Sequence, residues 1–383
     1  MESKPVEFRH SPACCKSQNA CPAIPSASAE KGGDVYYSRG TAMKGSLLRL
    51  LLVTLLFISL ISFACQTPSS EPPTFTPSPP APAEEIPAET KPEEGLPIFP
   101  IVVVDDLGRK ITIQHLPQRI VSLAPSNTEI LFALGLGDKI VGTTDYCDYP
   151  EAAKAKPRVA GYSNPNIEKL MSLEPDLIVA ESIHERMVLP ALEKLGLTVI
   201  VTSATSLDTI LRDVDLIGQV TGKSVTAARL TESMRKRIEA VTEKTRNIPI
   251  EQRPRVLYVC WHNPIWTMGS DTFIDDLIWK AGGINAFASD FKKSRAVSLE
   301  AVVDKDPQII IISGMGTTGG LIYNSIIKEA RLRDVSAIAD NRVYKISDAN
   351  LIERPGPRIV EGLEEVAKYI HPEIFGTPAS ISK

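Results

Sequence analysis

The sequence predicts an α/β protein in which two lobes with parallel sheets are joined by one long α-helix. From residue 101 onward, short apolar strands alternate with helices, as in parallel sheets that are covered on both faces. The pattern restarts after Pro254: IEKLMSLEPDLIVAE at 167–181 matches LEAVVDKDPQIIIIS at 299–313 with a constant offset of 132 residues. Between the copies, residues 224–246 contain no Gly or Pro and carry one apolar stripe, which favours a single helix.

The first lobe is predicted over residues 101–222. It begins with a hairpin, because Ile101–Asp105 and Lys110–Ile113 flank the turn sequence DLGR. The elements that follow are strand Arg119–Leu123, a helix from Ser126 to Gly135, strand Lys139–Thr143, helix Ile167–Leu173, strand Asp176–Ala180, a helix around Ala191–Gly196, strand Thr198–Thr202 and helix Ser206–Val220.

The bridging helix is predicted over residues 223–247, and the second lobe over residues 254–375. A helix of this length is a rod of roughly 35 Å, and a single rod between lobes allows only small rocking. We therefore expect a cleft between the lobes with little motion across it. The second lobe contains strand Arg255–Val259, helix Asp271–Ala281, the second copy at 299–313, strand Asn341–Ile346 and helix Pro357–Ile370.

The N-terminal hundred residues are predicted to be a signal and a tether. Lys44 and Arg49 precede an apolar stretch that is short for a membrane span and ends at Ala64, directly before Cys65. Residues 43–65 thus resemble a lipoprotein signal in which Cys65 receives lipid. An ordinary or uncleaved signal with an incidental cysteine is the alternative. Residues 1–42 are then untranslated or dispensable, and residues 66–100, with eleven of the chain's 30 prolines, form a disordered tether.

Charge and cysteine content narrow the functional class. The formal net charge is −4 and the sequence has no long basic run, so nucleic acid is not an expected partner. Beyond the lipid candidate, Cys147 and Cys260 could bridge or stay free. The sequence contains no CxxC spacing, and we predict no metal site.

Glu168 and Glu300 occupy equivalent places at the start of the two matched helices. A carboxylate is favoured at a helix N-terminus, so duplication alone could have preserved both. Alternatively, a pseudo-two-fold protein presents one carboxylate per lobe to a two-fold partner with two arginine pockets. Catalysis explains the pair poorly, because carboxylates on separate lobes are too far apart to act on one bond.

Four stretches carry a family resemblance and occur in order across Ile101–His371: RIVSLAPSNTEILFALGLGDKIVGTTDYCDYP, NIEKLMSLEPDLIVA, SLEAVVDKDPQIIII and ERPGPRIVEGLEEVA. They resemble the substrate-binding proteins of ABC importers for vitamin B12, ferric siderophores and haem, and most of all the cobalamin-binding members. The resemblance implies two Rossmann-like lobes in the helical-backbone periplasmic-binding-protein fold, with a ligand in the cleft. It also implies an extracytoplasmic monomer, lipid-anchored to the cell membrane, that docks through Glu168 and Glu300 onto a two-fold symmetric permease dimer with its ATPase subunits.

Aromatic residues cluster after the predicted strands, although they make up only 6% of the chain. Ligands of parallel α/β lobes bind beyond the carboxyl ends of strands, and wide apolar walls suit a corrin or porphyrin ring. In the cobalamin-binding members, an aromatic residue matches Tyr162 and a tyrosine matches Tyr146. Each aromatic residue could instead pack in the core. The predicted ligand-binding residues are Tyr146, Tyr149, Tyr162, Trp261, Trp266, Asn350 and Arg354.

The predicted cargo is cobalamin or a related corrinoid, carried as a transported ligand and not as a catalytic cofactor. A ferric-siderophore carrier and a haem carrier stay open as alternatives. For these, the candidate residues are Arg158 and Arg186 against a ferric chelate, and Tyr146, Tyr162, His184 and His262 as axial haem ligands.

A cofactor-processing enzyme of chelatase-like fold is the remaining alternative. The run 314–320 is glycine-rich after a strand, but it lacks the Lys-Ser/Thr of a P-loop and fits a flexible cleft loop better. No Ser-His-Asp order and no close pair of carboxylates can be assembled. We therefore predict no catalytic residues and no enzymatic turnover.

Overall fold

Two four-stranded parallel sheets form the centres of the lobes in the computed structural model of the protein, which describes residues 98–314 and 318–378. The β-strands in these residues are β1 (Ile101–Val104), β2 (Lys110–Ile113), β3 (Ile120–Ser122), β4 (Ile140–Thr143), β5 (Leu177–Glu181), β6 (Val199–Thr202), β7 (Arg255–Val259), β8 (Trp261–His262), β9 (Ile265–Met268), β10 (Ile284–Asn285), β11 (Ser294–Val297), β12 (Ile309–Ile312) and β13 (Val343–Lys345).

Helices cover the sheets and connect their strands. The α-helices of the described residues are α1 (Pro125–Ala133), α2 (Ile167–Ser172), α3 (Leu189–Lys194), α4 (Leu207–Val220), α5 (Ser224–Thr245), α6 (Phe273–Lys280), α7 (Leu299–Lys305), α8 (Gly319–Lys328), α9 (Ser336–Ala339), α10 (Asn350–Glu353), α11 (Ile359–Ile370) and α12 (Pro372–Phe375).

The two parallel sheets have the same topology. Their strand orders are β4-β3-β5-β6 and β10-β7-β12-β13, which are identical when the strands of each sheet are counted along the chain. The central strands LIVAE and IIII are buried along almost their whole length, as expected for parallel strands with helices on both faces. This topology and the long α5 confirm the predicted fold class.

One apolar core cluster continues through both lobes and the bridging helix α5. It contains Ile120 of the first sheet, Met234 and Ile238 of α5, and Val256 of the second sheet. Hydrogen bonds also hold the C-terminal end of α5 in place. The buried guanidinium of Arg253 donates to the carbonyl oxygens of Thr245 and Ile248, at and just beyond the end of α5, and to that of Trp279 on α6. A shared core of this kind favours the small relative motion expected of the lobes.

An antiparallel sheet with the order β11-β9-β8 was not predicted from the sequence. Its two-residue strand β8 and the intervening Asn263-Pro264 look like a loop, since strands this short have no readable alternation. As a consequence, Trp266 lies inside β9 and not in a segment that follows a strand. Several smaller helices were also missed, notably α8, which begins at Gly319 in the run interpreted as a loop.

Several predictions lie outside the described residues. These are the signal, Cys65, residues 66–97 of the tether and residues 315–317 of the glycine-rich run. Among the described helices, none is both long enough and apolar enough to cross a membrane.

Candidate functional site

The short helices α2 and α7 match each other residue by residue. Asn166 and Ser298 cap them, each accepting a backbone N–H three residues on with its side chain. Glu168 and Glu300 follow at the second position of each helix, and both side chains point into solvent. The same capping chemistry therefore presents one carboxylate on each lobe.

The C-terminal ends of these helices are held by equivalent arginines. Arg119 Nε donates to the carbonyl oxygen of Leu173 over 3.1 Å, and Arg255 Nε donates to that of Lys305 over 3.0 Å. Leu173 and Lys305 are again 132 positions apart. Both guanidinium groups lie at the negative end of their helix, where a cation is stabilising. Neither arginine was predicted from the sequence.

The two exposed carboxylates differ in their surroundings. Arg331 Nη1 lies 3.7 Å from Glu300 Oε1, whereas no described residue forms an ion pair with Glu168. The backbone N–H of Glu300 and then the Ser298 hydroxyl hold the pKa of Glu300 below its usual value, so this carboxylate is charged at neutral pH.

Glu353 and Arg354 of the second lobe contact segments that follow the carboxyl ends of strands in both parallel sheets. Glu353 accepts the backbone N–H of Gly314, just beyond β12, over 3.0 Å. Its neighbour Arg354 donates from Nη2 to the carbonyl oxygen of Tyr146, just beyond β4, over 3.2 Å. These contacts bring Tyr146 and Arg354, a predicted ligand residue from each lobe, together at the edge formed by the carboxyl ends of the strands.

A buried charge cluster joins the lobes at this edge. Glu129 on α1, whose side chain is 2% exposed, accepts two bonds from Arg358, at 2.9 Å from Nε and 2.8 Å from Nη2. Arg354 Nη1 lies 3.1 Å from the same carboxylate and 2.7 Å from Asp148. The bond to Glu129 is the main reason that the pKa of Arg358 is raised, although burial opposes it.

Tyr146 and Tyr149 flank Asp148 on the segment after β4. Tyr146 is 52% exposed and Tyr149 is 45% exposed, so neither is an ordinary core residue. The guanidinium of Arg358 stacks on the ring of Tyr149, 3.8 Å from its centroid. One face of that ring is thereby covered by the second lobe.

Tyr162 lies deeper and is tied into a polar group. Its hydroxyl donates to Glu181 at the end of β5, and its ring packs edge-on against His184 with centroids 5.6 Å apart. His184 Nδ1 accepts the N–H of Glu181, and its Nε2 donates to the carbonyl oxygen of Tyr162 over 2.6 Å. Burial raises the pKa of Tyr162 and of Glu181, and lowers that of His184, so the imidazole is neutral.

Trp261 and Trp266 are direct cross-strand partners on β8 and β9. Residues directly opposite each other on antiparallel strands place their side chains on the same face of the sheet. Both indoles are partly exposed. Two neighbouring aromatic side chains therefore follow the carboxyl end of β7. That end lies beside the carboxyl end of β12, and the hydroxyl groups of Tyr258 and Ser313 share a hydrogen bond of 2.8 Å there.

Asn350 begins α10 and is partly exposed, with its backbone N–H bonded to Asp348. Two surface pockets of about 610 and 350 Å³ lie elsewhere, beside Trp279, and neither contains a predicted ligand residue.

Within the described residues, no group of His, Cys, Asp and Glu side chains could hold a metal ion. Cys147 and Cys260 are both free thiols, which answers the question left open by the sequence.

Comparison with known proteins agrees with this architecture. Residues 120–349 match the periplasmic binding protein family. An uncharacterised ABC transporter substrate-binding lipoprotein, YvrC of Bacillus subtilis, is 35% identical over 283 residues, which cover 73% of this chain and 88% of that protein.

The solved structures similar to this chain include a vitamin B12 binding protein and a heme-binding protein. The periplasmic vitamin B12 binding protein BtuF of Vibrio cholerae is 30% identical with a TM-score of 0.59, covering 66% of this chain and 96% of that chain. The periplasmic heme-binding protein RhuT of Roseiflexus sp. RS-1 is 26% identical with a TM-score of 0.60, covering 66% of this chain and 98% of that chain.

The match to the family extends over more than half of the chain and includes both parallel sheets. Proteins of this family bind solutes outside the cytoplasm, work with the permease and ATPase of an ABC importer, and are not enzymes. The chain belongs to the periplasmic binding protein family and is a solute-binding protein of an ABC transporter.

Proposed function

We propose that this protein is a lipoprotein that captures cobalamin or a related corrinoid in the inter-lobe cleft and delivers it to its permease. In this proposal, Cys65 carries the lipid and residues 66–100 are the tether. The name of the Bacillus subtilis relative supports the lipoprotein assignment.

The observation that carries the delivery step is the equivalence of Glu168 and Glu300. Two helices in topologically equivalent lobes share their cap, their exposed carboxylate and the arginine at their end. A permease dimer with one cationic pocket per subunit would receive both carboxylates at once. Core packing cannot account for the similarity, because both side chains are exposed.

The corrinoid cargo is supported by the similarity to vitamin B12 binding proteins and by the state of Tyr162 and His184, two of the four candidate haem ligands. The Tyr162 hydroxyl donates a hydrogen bond to Glu181, and both ring nitrogens of His184 form hydrogen bonds. Neither side chain is thus offered as an axial ligand for haem iron. Arg158 is similarly committed, since its guanidinium donates to carbonyl oxygens of its own lobe.

The test is corrinoid uptake by cells that depend on this protein. Glu168→Gln combined with Glu300→Gln should leave cyanocobalamin affinity of the purified protein unchanged and abolish uptake. A matched control removes two exposed carboxylates of the bridging helix, Glu232→Gln with Glu243→Gln, and should retain uptake. Uptake that survives the first pair of substitutions would contradict the docking role.

A further inference from the structure

We propose that Glu129 and Arg358 form a positioning pair that holds the Tyr146–Tyr149 segment in place and thereby sets how long a ligand stays in the cleft. The consequence for the ligand rests on the proposed function. The ordering of the segment does not, and it can be measured without any ligand.

The pair spans the two lobes with unusually complete geometry. Glu129 lies on α1 of the first lobe, and Arg358 directly precedes α11 of the second. Two parallel bonds of 2.9 and 2.8 Å form a bidentate contact, and the carboxylate is 98% buried. Such contacts are among the strongest charged hydrogen bonds. Removing one partner leaves the other charge buried without compensation, which destabilises the folded state.

The same cations also hold the ligand segment. Arg358 stacks 3.8 Å from the centroid of the Tyr149 ring, while Arg354 bonds to both Asp148 and the carbonyl oxygen of Tyr146. Glu129 contacts both guanidinium groups and so fixes where they lie. Burial alone would raise the pKa of Asp148, but the hydrogen bond and the positive charge of Arg354, with its own backbone N–H and the charge of Lys154, together outweigh burial and lower that pKa, which keeps the carboxylate charged.

The chain contains a second bidentate Arg–Glu pair, more exposed than the first, that lacks this second role. Arg237 on α5 and Glu364 on α11 make a bidentate contact with two bonds of 2.8 Å. This contact also joins two elements that are distant in sequence, but it touches none of the predicted ligand residues. A substitution in this pair therefore serves as a control, because it could loosen the protein in general but should not displace the Tyr146–Tyr149 segment.

The experiment compares Glu129→Gln, Arg358→Lys and the control Glu364→Gln in the full protein. Hydrogen exchange of residues 144–150 is followed by mass spectrometry without ligand, and dissociation of cyanocobalamin by stopped flow, both at a temperature where circular dichroism shows each variant folded. Glu129→Gln should speed dissociation by about tenfold, since affinity differences among variants of one binding site lie mostly in the off-rate. Arg358→Lys keeps the charge but loses the fork, so its effect should be smaller.

Faster hydrogen exchange of residues 144–150 in both Glu129→Gln and Arg358→Lys, with the control unchanged, supports the proposal. Unchanged exchange and dissociation in folded Arg358→Lys would overturn it, even if Glu129→Gln fails to fold. Equal acceleration in Glu364→Gln would also overturn it, because the effect would then be general loosening. If the wild type does not bind cyanocobalamin, the cargo assignment fails, while the exchange measurement still decides the positioning role.

Discussion

Replacing Trp261 and Trp266 together with leucine should weaken corrinoid binding without unfolding the protein. The two indoles are cross-strand partners, lie on one face of the short antiparallel sheet and are partly exposed. Leucine keeps each position apolar and compatible with a strand, so the main change is the loss of flat surface at the predicted ligand wall.

The magnitude follows from the area that a ligand can cover. If a corrin ring covers about 80 Å² of each indole, burial contributes about 2 kcal/mol per residue at about 25 cal/mol/Å². Leucine retains about half of that surface, so each substitution costs about 1 kcal/mol and the pair about 2 kcal/mol. The dissociation constant should therefore rise about 30-fold. Because the two residues are neighbours, the single effects need not add.

Isothermal titration with cyanocobalamin is the suitable assay, because it does not depend on tryptophan emission. Trp279→Leu is the matched control: this third tryptophan is 50% exposed and stacks on Arg253 beside the two pockets outside the cleft. Its substitution should leave the affinity unchanged. Unaltered affinity in the folded double variant, or a comparable loss in Trp279→Leu, would refute the placement of the ligand wall.

Three further predictions concern docking, protonation and redox state. Glu168→Gln should weaken docking to the reconstituted permease by about 2–5-fold more than Glu300→Gln, because Arg331 already neutralises part of the charge of Glu300; equal effects would contradict this. Asp213→Asn should raise Tm by about 2–4 °C at pH 8 and by less at pH 5. Burial, and then the bond to Asp106, raises the pKa of Asp213, so the wild type loses stability as pH rises above the unfolded-state pKa; a calorimetric gain that is larger at pH 5 would refute it. Reductant should leave Tm unchanged, since Cys147 and Cys260 are free thiols, and a downward shift would reveal a bridge.

Much of the fold could be predicted because the same pattern of strands and helices occurs in both lobes. Strand β7 was predicted with its observed bounds, and α5 begins one residue after and ends two residues before its predicted range of 223–247. Apolar runs and glycines carry this information locally, so one sequence is enough. The sheet of β8, β9 and β11 was not predicted because its strands are two to four residues long and β11 pairs with β9 across the intervening α6 and β10.

The site was less predictable, and for a physical reason. Glu168 and Glu300 could be found because duplication places them at a constant offset. The contact between Glu129 and Arg358 joins residues 229 positions apart and has no periodic signal. Likewise, only the structure reveals that the Tyr162 hydroxyl is donated to Glu181. Pairings set by tertiary packing do not appear in local patterns.

The measurement that tests the central claim most directly is a titration of the purified protein with cyanocobalamin, followed by tryptophan fluorescence, beside parallel titrations with haemin and a ferric hydroxamate. The account predicts saturable quenching by cyanocobalamin with a dissociation constant at or below about 1 µM, well within the range of specific binding. Binding of haemin or the ferric chelate in place of cyanocobalamin would overturn the corrinoid assignment. Failure of all three to bind would contradict the proposed cleft itself.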